Sequence, residues 1–132
     1  MAVSVFDLFK IGIGPSSSHT MGPMKAACIF AQGLESSGRL GQTERIQSSL
    51  FGSLAHTGRG HGTDKAVLLG LQGEMPDTID PDHIDPELER IREQNDIHVL
   101  NKRRIQFDEK RDLLFLKREL LPHHSNGMRF EA

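Results

Sequence analysis

Apolar residues recur on two different periods along this 132-residue chain, and the period changes at breaks rich in glycine and proline. Met24, Ala27, Cys28, Ala31 and Leu34 follow one another at i, i+3, i+4, i+7 and i+10, which predicts an amphipathic helix over Met21–Leu34. Pro23 then falls in the first turn, where a missing N–H does no harm. Val5, Leu8 and Phe9 also share one face at helical spacing, so Val3–Lys10 reads as a short amphipathic piece of the same kind. Gly38 and Gly41 interrupt Ser36–Gln42, a connection, and Ile46, Leu50 and Phe51 give Arg45–Ser53 the look of a strand. Thr63 is a natural N-cap for a helix whose Val67, Leu68 and Leu71 face inward. Pro76, Pro81 and Pro86, with Asp77, Asp80, Asp82 and Asp85 between them, make Met75–Pro86 an irregular connector. Pro86 opens a helix through Asn95 with Leu88 and Ile91 inward, and short strands are expected at Ile97–Leu100, Arg104–Phe107, Leu113–Leu116 and Gly127–Glu131. Helices and strands interleave without the regular alternation of a doubly wound sheet, so the predicted class is α+β with a mixed sheet.

Charge and composition narrow the function classes. Sixteen Lys and Arg against eighteen Asp and Glu leave a formal charge of −2, with no field to draw nucleic acid or an anionic membrane. The chain has seven Phe but no Trp or Tyr, so it lacks the aromatic platforms on which single-stranded nucleic acids stack. No apolar run approaches 18 residues, and Met1–Phe9 has no secretory character, which points to the cytoplasm. The single cysteine, Cys28, excludes an internal disulfide and any multi-cysteine metal or iron–sulfur site built from this chain alone, and its apolar neighbours make it a small core residue.

Two glycine-rich loops carry the candidate chemistry. Gly12-Ile13-Gly14-Pro15-Ser16-Ser17-Ser18-His19-Thr20 offers hydroxyls and backbone N–H groups where the next helix begins, a composition suited to holding an anion. His56-Thr57-Gly58-Arg59-Gly60-His61-Gly62 leads into Thr63 and Asp64 at a second helix start, and the two starts together suggest one cleft. Neither loop matches a P-loop or a dinucleotide fingerprint. His61, between two glycines, is placed to accept a proton near neutral pH; the plain alternative is an exposed loop histidine. His123 and His124 have no further ligands nearby, and the aspartate series lacks the glycine and the terminal glutamate of a calcium loop, so no metal site is predicted.

Three ordered blocks then become specific. Ser4–Met24, with its Gly-Ile-Gly-Pro-Ser-Ser-Ser-His-Thr core, resembles the opening of bacterial iron–sulfur-dependent (type II) L-serine dehydratases. Phe51–Ala66 is similar to that family's Gly-Lys-Gly-His segment, with Arg59 where lysine is common and His56 where an apolar residue is frequent. Leu121–Phe130 resembles the family's Pro-x-x-x-Asn-Gly-Met-x-Phe stretch. The resemblance implies that residues 1–132 form the beta domain of such an enzyme, a two-layer α+β domain similar to an accessory domain of D-3-phosphoglycerate dehydrogenase, cut short at its C-terminal end so that an edge strand is missing.

The same resemblance implies a reaction, conversion of L-serine to pyruvate and ammonia, with a [4Fe–4S] cluster held by a separate catalytic domain or subunit and none bound by this chain, which alone would be inactive. It implies that Ser16, Ser17, Ser18, His19 and Thr20 surround the substrate carboxylate, that His61 is the base, and that Thr63 and Asp64 hold the loop or touch the amino group. A homo-oligomer is the implied assembly. A non-catalytic module that senses serine or another anion is the alternative reading.

Overall fold

The computed structural model describes residues 6–10, 18–52, 62–75, 78–116 and 126–132. Its elements run β1 (Phe6–Lys10), α1 (Ser18–Ser36), a 3-10 turn (Leu40–Gln42), β2 (Gln47–Gly52), α2 (Thr63–Leu71), α3 (Pro81–Gln94), β3 (Asp96–Val99), β4 (Arg103–Gln106), α4 (Glu109–Asp112), β5 (Leu113–Leu116) and β6 (Asn126–Glu131). The class is mixed α+β, as the periodicities predict.

Four strands form one mixed sheet in the order β1-β6-β2-β5, in which β6 runs antiparallel to both neighbours and β2 runs parallel to β5. The strand nearest the end of the chain, β6, is thus an inner strand, and β1 and β5 are the edges. Strand alternation sorts the side chains: Ser48 and Leu50 of β2 lie beside Phe130 and Met128 of β6 and Leu113 and Phe115 of β5. Helix α1 lies over this face, with Phe30 stacked on Phe130 at a centroid separation of 5.3 Å. Every residue of its predicted apolar stripe, from Met24 to Leu34, is buried. β3 and β4 form a separate antiparallel hairpin, turned by Leu100 and Asn101 in left-handed backbone. The Leu100 N–H donates to the Leu71 carbonyl at 3.0 Å, which ties the hairpin tip to the end of α2.

Three readings of the sequence change. Phe6–Lys10 is a strand, because five residues cannot sustain an isolated helix and the ladder with β6 satisfies their backbone instead. The connector at Met75–Pro86 ends earlier than predicted: α3 begins at Pro81, whose fixed φ suits a first helical position, and the Asp80 carboxylate caps it by accepting from the Asp82 N–H at 3.0 Å. Pro23 lies in the second turn of α1, since that helix starts one turn before Met21. Among the described residues, no helix is long and apolar enough to cross a membrane.

Two buried carboxylates pin the parts together. Asp96 accepts from Arg90 at 2.6 Å and from Arg104 at 2.7 Å, and Arg90 also donates to Glu87 and to Gln72 of the α2 terminus. Asp112 accepts from Arg45 at 2.8 Å, from Arg111 at 2.9 Å and from the Asp108 N–H. Burial alone would push both carboxyls up, but these hydrogen bonds and charges outweigh it and hold both below the usual aspartate range. Folded carboxyls with depressed pKa stabilise fully above the unfolded value of about 4 and lose that contribution as the pH falls through the lower folded values. The urea midpoint should therefore be level from neutral pH to about 5 and fall steeply below about 4. A midpoint that stays flat down to pH 2.5 would show that neither pair matters.

Candidate functional site

Of the candidate residues, the structure describes Ser18, His19 and Thr20 at the start of α1 and Thr63 and Asp64 at the start of α2. Ser18, His19 and Thr20, predicted as loop, form the first turn of α1, so their backbone N–H groups are among those left without an intrahelical acceptor at the positive end of the helix. An anion is the complementary ligand there. Ser16, Ser17 and His61 lie outside the described residues, as do Thr57 and Arg59.

The start of α2 differs from the prediction by one residue. The cap is Gly62, in left-handed backbone at φ 77°, with no side-chain hydrogen bond to the helix. Glycine adopts that backbone without strain, whereas threonine would not, so Thr63 becomes the first helical residue and is fully buried. The helix then runs through the interior, with every residue from Ala66 to Leu71 buried.

The two helices cross at Gly70, where a Cβ would come within 2.3 Å of the Met24 carbonyl oxygen. Met24 and Gly70 each lie about 10 Å along their own helix from its first residue. The two helix starts are therefore within about 20 Å of each other whatever their relative direction.

Asp64, in the first turn of α2, is 6% exposed. Its Oδ2 accepts from Arg92 of α3 at 3.3 Å, and Arg92 donates in turn to Glu109 of α4 at 2.6 Å. The Glu109 hydrogen bond is the foremost reason that the guanidinium is held even more firmly protonated than usual. Asp64 Oδ1 is buried and has no hydrogen-bond partner among the described residues. Arg92 and Glu109 were not predictable as members of this cluster: they stand 28 and 45 residues beyond Asp64, on segments whose pattern shows only a solvated helix face and a turn.

Two clefts flank Arg92. One, of about 470 Å³, is lined by Lys65, Asp85, Leu88, Glu89, Arg92 and Glu93. The other, of about 210 Å³, lies among Ile91, Asn95, Phe107 and the start of α4. Three carboxylates against two cations make the larger one a poor receptor for an anion, and neither is lined by a residue predicted from the sequence.

Known proteins share this chain's sequence closely. It is 49% identical over 128 residues to the L-serine dehydratase of Streptomyces coelicolor, covering 97% of this chain and 28% of that protein. It is 45% identical over 131 residues to L-serine dehydratase TdcG of Escherichia coli, covering 98% of this chain and 29% of that protein. It is 47% identical over all 132 residues to the L-serine dehydratase of Mycobacterium bovis, 28% of whose length is covered. The chain thus spans under a third of the length of these relatives. Residues 4–132 match the serine dehydratase beta chain, and the chain belongs to that family.

Proposed function

We propose that this chain is the substrate-clasping part of an L-serine dehydratase, which converts L-serine to pyruvate and ammonia together with a catalytic domain or subunit that lies outside these 132 residues. The observation that carries this reading is the near-half identity, over almost the whole chain, to proteins named L-serine dehydratase. The start of α1, an anion-suited helix terminus, falls within the matched segment.

Two bonds of the substrate must break. The α-proton beside a carboxylate is weakly acidic, so it needs a base and a site that holds the carboxylate still. In this reading Ser16, Ser17, Ser18, His19 and Thr20 receive the carboxylate, His61 accepts the proton, and Thr63 and Asp64, in the first turn of α2, hold the glycine-rich loop or touch the amino group. The hydroxyl, a poor leaving group, departs with help from outside this chain, and the resulting enamine gives pyruvate and ammonia on hydrolysis.

The iron–sulfur cluster implied by the sequence resemblance does not fit the residues present. Cys28 is the chain's one cysteine. It is buried in α1, where burial first and the Glu74 charge second push its thiol up, away from the thiolate a cluster requires. No group of three His, Cys, Asp or Glu able to hold a metal ion occurs among the described residues. Cluster ligands therefore belong to the companion domain in this proposal.

The test is pyruvate release from L-serine by the assembled protein, with and without Ser17→Ala. Loss of a hydrogen bond to the substrate carboxylate should raise KM about tenfold and leave kcat within about twofold. An unchanged KM would remove Ser17 from the carboxylate site. Serine binding without pyruvate formation would identify a sensing module instead of an enzyme part.

A further inference from the structure

Helix α2 is held to α3 near both ends, and the two holds differ in kind. Just past its last turn, Gln72 is buried and fully engaged: its side-chain oxygen accepts from Arg90 at 2.9 Å and from the His98 N–H at 3.0 Å, and its nitrogen donates to Glu87 at 2.9 Å. The Leu100 N–H on the Leu71 carbonyl adds another tie there. At the start, Gly62 offers no side-chain cap. Among the described residues, Asp64 is joined to α3 through one contact, the 3.3 Å hydrogen bond from Arg92.

Arg92 meets Asp64 in a set orientation because Glu109 of α4 grips the same guanidinium. Its Nε donates to Glu109 Oε1 at 2.6 Å and its Nη2 to Glu109 Oε2 at 3.4 Å, the paired geometry that fixes a guanidinium plane. The same Nη2 donates to Asp64 Oδ2. One side chain of α3 thus ties the first turn of α2 to α4.

The place of that tie gives it leverage. α2 is locked against α1 at Gly70, where an added Cβ would stand 2.3 Å from the Met24 carbonyl oxygen. The start of α2 lies about 10 Å from this crossing, so a rocking of the helix by about 5° leaves Gly70 in place and moves the start by about 1 Å. Arg92 holds the end that such a motion carries furthest. His61 immediately precedes Gly62 in the chain, so the seat of the first turn is also the seat of the backbone to which His61 is attached.

We propose that Arg92 is a positioning residue for the dehydration, which together with Glu109 fixes the start of α2 and so the backbone position to which His61 is attached. This rests on the proposed dehydratase function and on His61 as its base. Neither Arg92 nor Glu109 touches the substrate in this scheme. A misplacement of about 1 Å is enough to cost on the order of 100-fold in rate, and the loss falls on the chemical step, not on substrate binding.

The test compares pyruvate formation from L-serine by the assembled protein carrying Arg92→Ala or Arg90→Ala, with urea midpoints measured alongside. Arg92→Ala should lower kcat about tenfold or more and leave KM within about twofold. Arg90→Ala takes a partner from buried Asp96 but leaves Gln72 its His98 and Glu87 partners. It should lower the urea midpoint at least as far, with kcat within about twofold of the parent. Should Arg92→Ala fail to fold, Glu109→Ala takes its place: the guanidinium is then free to turn, and kcat should fall about threefold at unchanged KM. An unchanged kcat in the folded variant, or an equal loss of kcat in the Arg90 and Arg92 variants, overturns the assignment to Arg92 where His61→Ala still abolishes turnover. If His61→Ala keeps its turnover, the reading of the base falls and this inference with it.

Discussion

Replacing Gly70 by alanine should lower the stability of this protein by roughly 3 kcal/mol, although alanine normally gains about 1 kcal/mol over glycine inside a helix. The reversal comes from the crossing of α1 and α2. A Cβ at position 70 would stand 2.3 Å from the Met24 backbone oxygen and 2.8 Å from the Ala27 Cβ. Neither atom sits on a side chain that can rotate away, so the helices themselves must separate, and the contacts of Met24, Ala27, Val67 and Leu71 loosen together. Gly33, on the exposed side of α1, supplies the control. An added Cβ there meets nothing within 4 Å, and Gly33→Ala should stabilise by about 0.5–1 kcal/mol. Urea denaturation of the two variants reads both signs at once. A Gly70→Ala protein as stable as the parent would contradict the close crossing.

His61→Ala should cut pyruvate formation by the assembled protein by about 10²–10⁴-fold, the usual worth of a positioned general base, with KM changed only a few-fold. His61 immediately precedes Gly62, the left-handed cap of α2. The helix that follows is firmly seated, with Thr63 and Asp64 buried in its first turn. That attachment to a packed helix suits a catalytic group, which works only when its approach to the substrate is reproducible. Turnover within twofold of the parent would eliminate His61 as the base. An unchanged urea midpoint, measured alongside, separates a catalytic effect from loss of fold.

The sequence was most legible where a long apolar period met a clear boundary. The stripe from Met24 to Leu34, the inward Leu88 and Ile91, and the strand at Leu113–Leu116 all stand in the structure as the periodicity predicts. Burial of one continuous face is a demand each segment states by itself. Short pieces were ambiguous for the same reason. Over Phe6–Lys10 the helical reading puts Leu8 and Phe9 on one face and an extended one puts them on opposite faces, five residues are too few to decide between them, and the choice belonged to β6, more than a hundred positions away in the chain. Caps were misread by a residue or a turn. A threonine or proline announces a helix start, but α2 is capped by Gly62 in left-handed backbone, and α3 begins one proline earlier than expected, at Pro81 behind the capping Asp80 carboxylate.

The candidate site divides in the same way. Residue types propose the Ser16–Thr20 run as an anion-suited approach to a helix, because hydroxyls, glycines and free N–H groups act over a single turn, and the structure starts α1 at Ser18. The close relatives then attach that run to a family. Local pattern could not say that Gly70 lets two helices touch, that Arg92 reaches back 28 residues to Asp64, or that Asp64 is left with one oxygen bare. These depend on which helix crosses which and on how far each side chain is buried. An amphipathic period dictates that a face be covered; only the assembled fold decides what covers it and which polar atoms remain without a partner.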